Sequence, residues 1–464
     1  MTFSEFKNKF YKRVPNLELF DVPNENLNLL KVVLDGLKVD YVNRGKVRPY
    51  MLWSNPLFCI YTRLKRFQSK SISVDFFQEI DKLTKSKIII DNGRVVKDHS
   101  GNNKSVYFGR IESMFSQEEL IIVNEKSLGT QLSDNQLNFS LFVLMYQNDK
   151  LTKQENSLRK KLKQTFKSIK KATIFDENEL ENIKFAIHKF YFEYIIWKRA
   201  LSEFPNLKKA FFVCHYHKEG LILALKRANI QCIELQHGLI AEQDIFYVFP
   251  AQVKVIKDKS LFADELWVYG TYWKNIVLRG TEYNSNQIKI IGYYLFENKV
   301  ENLPTTELSE SDKVVVITTQ TFLHKEFIDF TIRLYENHTA IGIKLTILVK
   351  PHPAEDANIY IEAFQEFEDI IVVTMPINEL FSRFKVHISV YSTTLFDALR
   401  YGVKNYVFMV SQCSDYVNGV LALNIALLID ESFNNFSLKD KEFGEIDSNY
   451  YYQPFNHDLV ISDV

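Results

Sequence analysis

"KKAFFVCHYHKEGLILALKRANIQCIELQHG", Lys208 to Gly238, reads as one strand–helix–strand unit. Lys208–Cys214 is a short apolar, β-rich run. Lys218–Ile230 follows with Leu221, Leu225 and Ala228 on one stripe, the spacing of a helix packed on one face. Gln231–Gln236 is a second β-rich run. Two strands joined through a helix lie parallel in one sheet, so this stretch predicts an α/β fold with crossover helices. It also ends by setting His237 beside Gly238. That is either a tight turn or a functional group delivered at a strand end.

The same rhythm continues outward. "DELWVYG" (264–270) is a strand, a helix begins near Thr271, and "QIKIIGYY" (287–294) is the next strand. The polar stretch "ENKVENLPTTELSESDK" (297–313) has the composition of a linker. Alternation then restarts with "KVVVITTQ" (313–320), "KEFIDFTIRLYENH" (325–338), "IKLTILVKPHP" (343–353), "DIIVVTM" (369–375) and "INELFSRF" (377–384). "VHISVYSTTLFDALRYG" (386–402) runs from strand through turn into helix, and "KNYVFM" (404–409) closes the series. The expected fold is therefore two doubly wound parallel-sheet domains facing each other across a cleft. The expected division is residues 1–295 for an N-terminal, acceptor-side domain, Rossmann-like over about 205–295, and 296–312 for the linker. Residues 313–430 then form a Rossmann-like nucleotide domain, and 431–464 a tail that packs back on the first domain. Before residue 200 the pattern is weaker. "SKIIIDNGRVV" (86–96) predicts a hairpin about Asn92-Gly93, because Asn-Gly tolerates a positive φ. "SVYFGRIESMF" (105–115) predicts a further strand.

The totals narrow the class. A chain of 464 residues suits two or three domains at about 100–200 residues each. Hydrophobic residues make up 46% and charged residues 25%, the mix of a chain able to bury large cores. Lys plus Arg and Asp plus Glu both number 57, so no overall field recruits nucleic acid. Cys59, Cys214, Cys232 and Cys413 are far apart, with neither zinc nor disulfide spacing, which suits a reducing compartment. No apolar run approaches the ~20 residues of a membrane span, and "MTFSEFKNKFYKRV" lacks the core of a signal peptide. The expected location is cytoplasmic, with contact to the inner face of the cytoplasmic membrane as an option.

Ligands of open α/β sheets sit outside the carboxyl ends of the strands, and unusual residues gather there. Lys350 and His352 stand in "KPHP", where two prolines restrict the loop and the lysine is suited to phosphate. Ser392, Thr393 and Thr394 open a helix. One hydroxyl is enough for a cap, so three point to an anion as well. Asp397 is placed in the first helical turn, either to complement the helix dipole or to accept from ribose hydroxyls. Gln320 ends "ITTQ"; Gly270 and Thr271 end a strand of the first domain; Gln236 and Gly238 flank His237. These five are expected to line the cleft, with Gln320 on the donor side. His215, His217 and His237 lack the carboxylate or cysteine spacing of a metal site, and no Asp-x-Asp stands at a suitable strand end. No metal and no cofactor are expected. P-loop, G-x-G-x-x-G and G-x-S-x-G patterns are absent.

"LQHG", "KPHP" and "YSTTLFDAL", in that order over Lys208–Met409, resemble the glycosyltransferases of the GT-B fold that build bacterial surface polysaccharides. The nearest likeness is to capsule polysaccharide transferases and CDP-glycerol glycerophosphotransferases. The resemblance implies a nucleotide held by the second domain, with His352, Ser392 and Thr393 at the donor phosphate and His237 as base or acceptor-binding residue. It implies a metal-independent transfer of a sugar or polyol phosphate to a glycan or lipid-linked acceptor. A CMP- or CDP-linked donor is favoured over UDP or GDP. The acidic base of the related sialyl- and Kdo-transferases has no match here; Glu234 and Glu242 are near but fit no motif. A sugar-nucleotide 2-epimerase and a non-catalytic member of a polysaccharide assembly complex are the alternatives. Residues 150–171 are lysine-rich, with Leu158, Leu162, Phe166 and Ile169 on one stripe. Such a helix either packs on its own domain or lies on anionic lipid.

Overall fold

The computed structural model describes residues 2–43, 77, 80–97, 101–125, 136–256, 258–280, 282–295, 314–433, 436 and 447–462. The expected linker, 296–312, lies outside the described residues. The chain divides into two compact units. The larger comprises Lys9–His237, Ile245–Asn298 and Gln453–Val464; the smaller comprises Met1–Asn8, Gly238–Asp244 and Lys299–Tyr452.

In the larger unit, β1 is Lys87–Asp91, β2 Val95–Lys97, β3 Asn103–Ser105, β4 Leu120–Asn124 and β5 Gln136–Asn138. Then come β6 Lys209–Val213, β7 Gln231–Leu235, β8 Glu265–Val268 and β9 Ile288–Ile290. Seven of these form one parallel sheet in the order β5-β4-β1-β6-β7-β8-β9. The direction of travel along the sheet reverses between β1 and β6. The Rossmann-like part is thus not confined to 205–295, since three of its strands come from 87–138. The Asn92-Gly93 hairpin does not form. Lys87–Asp91 is buried at every position and pairs in parallel with β4 and β6, as a continuous apolar run covered on both faces should. The antiparallel pair is β2 with β3. Residues 105–115 contain the short helix Gly109–Glu112 rather than a strand.

In the smaller unit, β10 is Val314–Thr318, β11 Thr346–Lys350, β12 Ile370–Val372, β13 Val386–Ser389, β14 Lys404–Val407 and β15 Leu427–Leu428. All pair in parallel, in the order β12-β11-β10-β13-β14-β15, and here the reversal falls between β10 and β13. Both units are therefore doubly wound. Each unit also takes in a terminal segment of its own: within the smaller, Ser4 N donates to Asp415 at 2.8 Å, and within the larger, Gln453 N donates to Tyr269 O at 3.0 Å.

Helix Lys153–Lys171 opens with a capping box between Thr152 and Glu155, and Glu177–Ser202 with one between Asp176 and Glu179. Leu158, Leu162 and Ile169 of the first are buried within the larger unit, and Lys161 pairs with Glu25 at 3.0 Å. Leu158, Leu162 and Ile169 of the apolar stripe thus pack on the unit's own core, as one of the two expected roles of this helix requires. Among the described residues, no helix is long and apolar enough to cross a membrane.

Helix Glu219–Arg227 packs on Glu177–Ser202 through Gly220. A Cβ there would lie 2.7 Å from Phe190 O, Tyr194 N and Glu193 Cβ. At Gly238 a Cβ would meet nothing within 4 Å, and its φ is not positive. The turn after His237 therefore does not require glycine, contrary to the sequence expectation. Gly220→Ala should lower the stability measured by urea unfolding by about 1–3 kcal/mol, the usual cost of overpacking. Gly238→Ala should stay within about 0.5 kcal/mol of the wild type. Equal losses in the two variants would contradict this packing.

Candidate functional site

The two reversal points are where each sheet opens a crevice at its carboxyl edge. In the larger unit, β6 runs into Cys214-His215-Tyr216-His217, and β7 into Gln236-His237. A wholly buried carboxylate, Glu234, joins them. Its Oε1 accepts from His215 N at 3.0 Å and from the Tyr247 hydroxyl at 2.6 Å, and its Oε2 from His215 Nδ1 at 2.6 Å. Burial alone would push this carboxyl up. The charge and hydrogen bond of His215, the Tyr247 hydroxyl and the Lys31 ammonium outweigh that and hold it at about 2. Glu234 is thus an ionised anchor, shut away from any substrate. Lys31, also buried, donates to Leu261 O at 2.8 Å and lies over the Phe262 ring.

His237 is half-buried, with Nε2 2.8 Å from the Tyr216 hydroxyl. His217 Nδ1 meets Asp35 Oδ2 at 2.6 Å. The three histidines therefore go to three different partners. No group of three or more His, Cys, Asp or Glu side chains among the described residues could hold a metal ion. Gln236 does not line a cleft. It is 0% exposed, and its Oε1 accepts from Tyr269 N at 3.0 Å, tying β7 to β8. Gly270 is buried in extended backbone before helix Thr271–Leu278, and the Thr271 hydroxyl accepts from Gln453 Nε2 at 3.0 Å. These residues brace the sheet edge.

In the smaller unit, the KPHP loop is docked on β10. The Thr319 hydroxyl accepts from His352 N at 2.9 Å and donates to Glu355, whose Oε1 accepts from the Tyr360 hydroxyl at 2.9 Å. His352 Nδ1 accepts from Ala354 N at 3.1 Å. In the neutral ring, that leaves Nε2 carrying the proton on an exposed imidazole. Lys350 Nζ donates to Thr374 O at 3.3 Å. Gln320 Oε1 accepts from Tyr391 N at 3.1 Å, spanning the reversal between β10 and β13.

Of the three hydroxyls, Ser392 acts as the N-cap, accepting from Thr394 N at 3.2 Å. Thr394 is bound inward, and the bonding chain fixes its direction. Asn405 Nδ2 donates to Leu395 O and Ile425 O, so Oδ1 faces His387 Nδ1 at 2.7 Å as the acceptor. Burial pulls His387 down to about 4 despite that bond, so the ring is neutral and Nε2 accepts from Thr318 Oγ1 at 2.8 Å. Thr318 then accepts from Thr394 at 3.0 Å. The Thr394 hydrogen points into the sheet, away from any anion. Thr393 is half-buried and has no hydrogen-bond partner among the described residues. Asp397 is the fifth residue of helix Thr393–Leu399, beyond the first turn expected for it, which removes the first of its two expected roles, complementing the helix dipole.

Sequence reasoning passed over Tyr216, Tyr247, Glu355, His387 and Phe322. Phe322 follows β10 with φ 74, a left-handed conformation that a bulky residue seldom adopts, and its ring is 57% exposed. Glu355, three residues after His352, carried a readable signal as a loop brace. His387 sits inside an apolar strand and carried none.

No family model matches the chain, and no curated protein does. Solved structures do. The MnaA–UDP structure from S. aureus is 10% identical, with a TM-score of 0.44, covering 75% of this chain and 84% of its own. The UDP-GlcNAc 2-epimerase from Methanocaldococcus jannaschii is 10% identical at a TM-score of 0.43, covering 79% and 97%. The wall teichoic acid polymerase TagF is 13% identical at 0.36, covering 82% and 78%. At these identities and scores the likeness extends to no particular residue.

The neutral, buried His387 has a measurable consequence. Its folded value of about 4 lies below the ordinary 6.5 of an unfolded histidine. Between those values the unfolded chain binds a proton that the folded chain does not. The stabilisation is therefore fully present above pH ~6.5 and is lost as pH falls towards ~4. From pH 7 to 5, the wild type should lose about 2 kcal/mol more than His387→Gln in urea unfolding. Parallel losses would contradict the neutral ring.

Proposed function

We propose that the chain is a glycosyltransferase-type enzyme. It moves a sugar or polyol phosphate from a nucleotide-activated donor to a hydroxyl of a glycan or lipid-linked acceptor. The observation that carries this reading is His352. Its loop is braced through Thr319 and Glu355, and its Nδ1 accepts from Ala354 N, which fixes an exposed imidazole, with its proton on Nε2 when neutral, at the carboxyl edge of a doubly wound sheet. A fixed N–H donor in that place suits a phosphate oxygen. Thr393 adds a hydroxyl and Lys350 a cation. The exposed Phe322 ring gives a nucleobase a flat apolar surface. Donor phosphate is then stabilised by protein N–H, O–H and ammonium groups, without requiring a divalent cation.

In the larger unit, His237 supplies the base that an acceptor hydroxyl requires, because an imidazole exchanges protons near neutral pH. A cytidine nucleotide is the favoured donor, with UDP and GDP the others to try.

Calorimetric titration with CMP, CDP, UDP and GDP tests the donor side. At least one should bind. His352→Ala should weaken that binding about 10- to 100-fold, as for the loss of a charge-assisted bond worth about 1.5–3 kcal/mol. Phe322→Ala should weaken it by a similar factor. Binding should persist in EDTA. No binding of any nucleotide, or wild-type affinity in both variants, would contradict the reading.

A further inference from the structure

Tyr216 lies between two anchored histidines. His215 is held by Glu234 through both its backbone N and its ring, and His217 by Asp35. Cys214 and His217 have φ of 58 and 69. Each costs about 1–2 kcal/mol for a residue other than glycine. Two such residues within four positions, in a loop tied down beside each, mean that the anchors impose its shape. What that shape holds in place is the Tyr216 phenol. Its oxygen lies 2.8 Å from His237 Nε2 and 3.7 Å from Cys214 Sγ. Burial pushes the Cys214 thiol up to about 12, so the sulfur keeps its proton and donates to the phenol oxygen. A phenol that accepts from sulfur has its own hydrogen to give, and Nε2 lies within reach of it. His237 and Tyr216 are both half-buried, so solvent reaches the pair.

We propose that Tyr216 and His237 form one proton-transfer pair, in which the phenol donates to Nε2 and the proton of an acceptor hydroxyl reaches His237 through Tyr216. The acceptor O–H bond breaks as an O–H bond forms on Tyr216 Oη. The original Tyr216 O–H bond breaks as an N–H bond forms at Nε2. The acceptor oxygen bonds to the transferred group, and the leaving nucleotide phosphate departs with the electron pair of the bond it loses. Tyr216 begins and ends neutral, and His237 ends as imidazolium. The use of the pair in transfer rests on the function proposed above; its existence and direction do not.

The free chain tests the pair. In a long-range ¹H–¹⁵N spectrum of histidine-labelled protein, His237 is assigned by the signals lost in His237→Gln. Nδ1 should carry the proton and Nε2 should be bare. Tyr216→Phe should move the ring towards the Nε2–H form that free imidazole prefers. An Nε2–H ring in the intact chain overturns the proposal without any variant, and so does an unchanged tautomer in folded Tyr216→Phe. Turnover with a bound donor then tests the relay. Tyr216→Phe and His237→Gln should each lower it by ~10²–10⁴, and the double variant should be no worse than the poorer single. Losses that multiply overturn the relay. A chain that binds no nucleotide overturns the function proposed above, while the spectrum still judges the pair.

Discussion

One buried carboxylate organises the carboxyl edge of the larger unit. Glu234 sits on β7, yet it fixes the loop that leaves β6 and the aromatic ring of Tyr247. An ionised carboxylate with no solvent needs every partner it has, because a buried unpaired charge costs several kcal/mol. The loop at 214–217 therefore cannot relax its two left-handed residues without stripping Glu234 of bonds. Tyr216 and His237 meet because of that constraint, and the chemistry proposed for them depends on it.

The smaller unit solves a related problem with neutral groups. Its hydrogen-bond chain from Thr394 through Thr318 and His387 to Asn405 runs in one direction only while His387 is uncharged. This decides which hydroxyls face outward. Thr394 is committed inward and Ser392 to capping, whereas the Thr393 hydroxyl is bound by neither. A stretch of three hydroxyls is thus divided, with two of them committed to the protein's own structure.

The strand–helix alternation from Lys208 to Met409 was legible because each strand is a short apolar run and each helix keeps its stripe. The larger unit's other strands were not. Asn92-Gly93 is a strong local turn signal that makes β1 look like one arm of a hairpin, but burial on both faces of Lys87–Asp91 outweighs it. Losing β1 and β4 also hid where the sheet reverses, since that point is defined by the pairing of β1 with β6. At the sites, sequence order showed which residues lie at strand ends. It did not show which of them point inward. Thr394 looks identical in kind to Thr393, and Gln236 and Gln320 turn out alike in accepting a backbone N–H; only the hydrogen-bond partners mark a side chain as a brace. Tyr216 escaped notice because its partner, His237, is 21 residues away.

The proposed transfer from a nucleotide-activated donor to a hydroxyl can be followed through nucleotide release. The intact chain is incubated with nucleotide-activated sugars and polyol phosphates, with and without a glycan acceptor, in the presence of EDTA. Release of free nucleotide should depend on the acceptor, and the acceptor should gain the transferred group. Conversion of the donor to an epimer with no acceptor present, or no turnover of any donor, would contradict it.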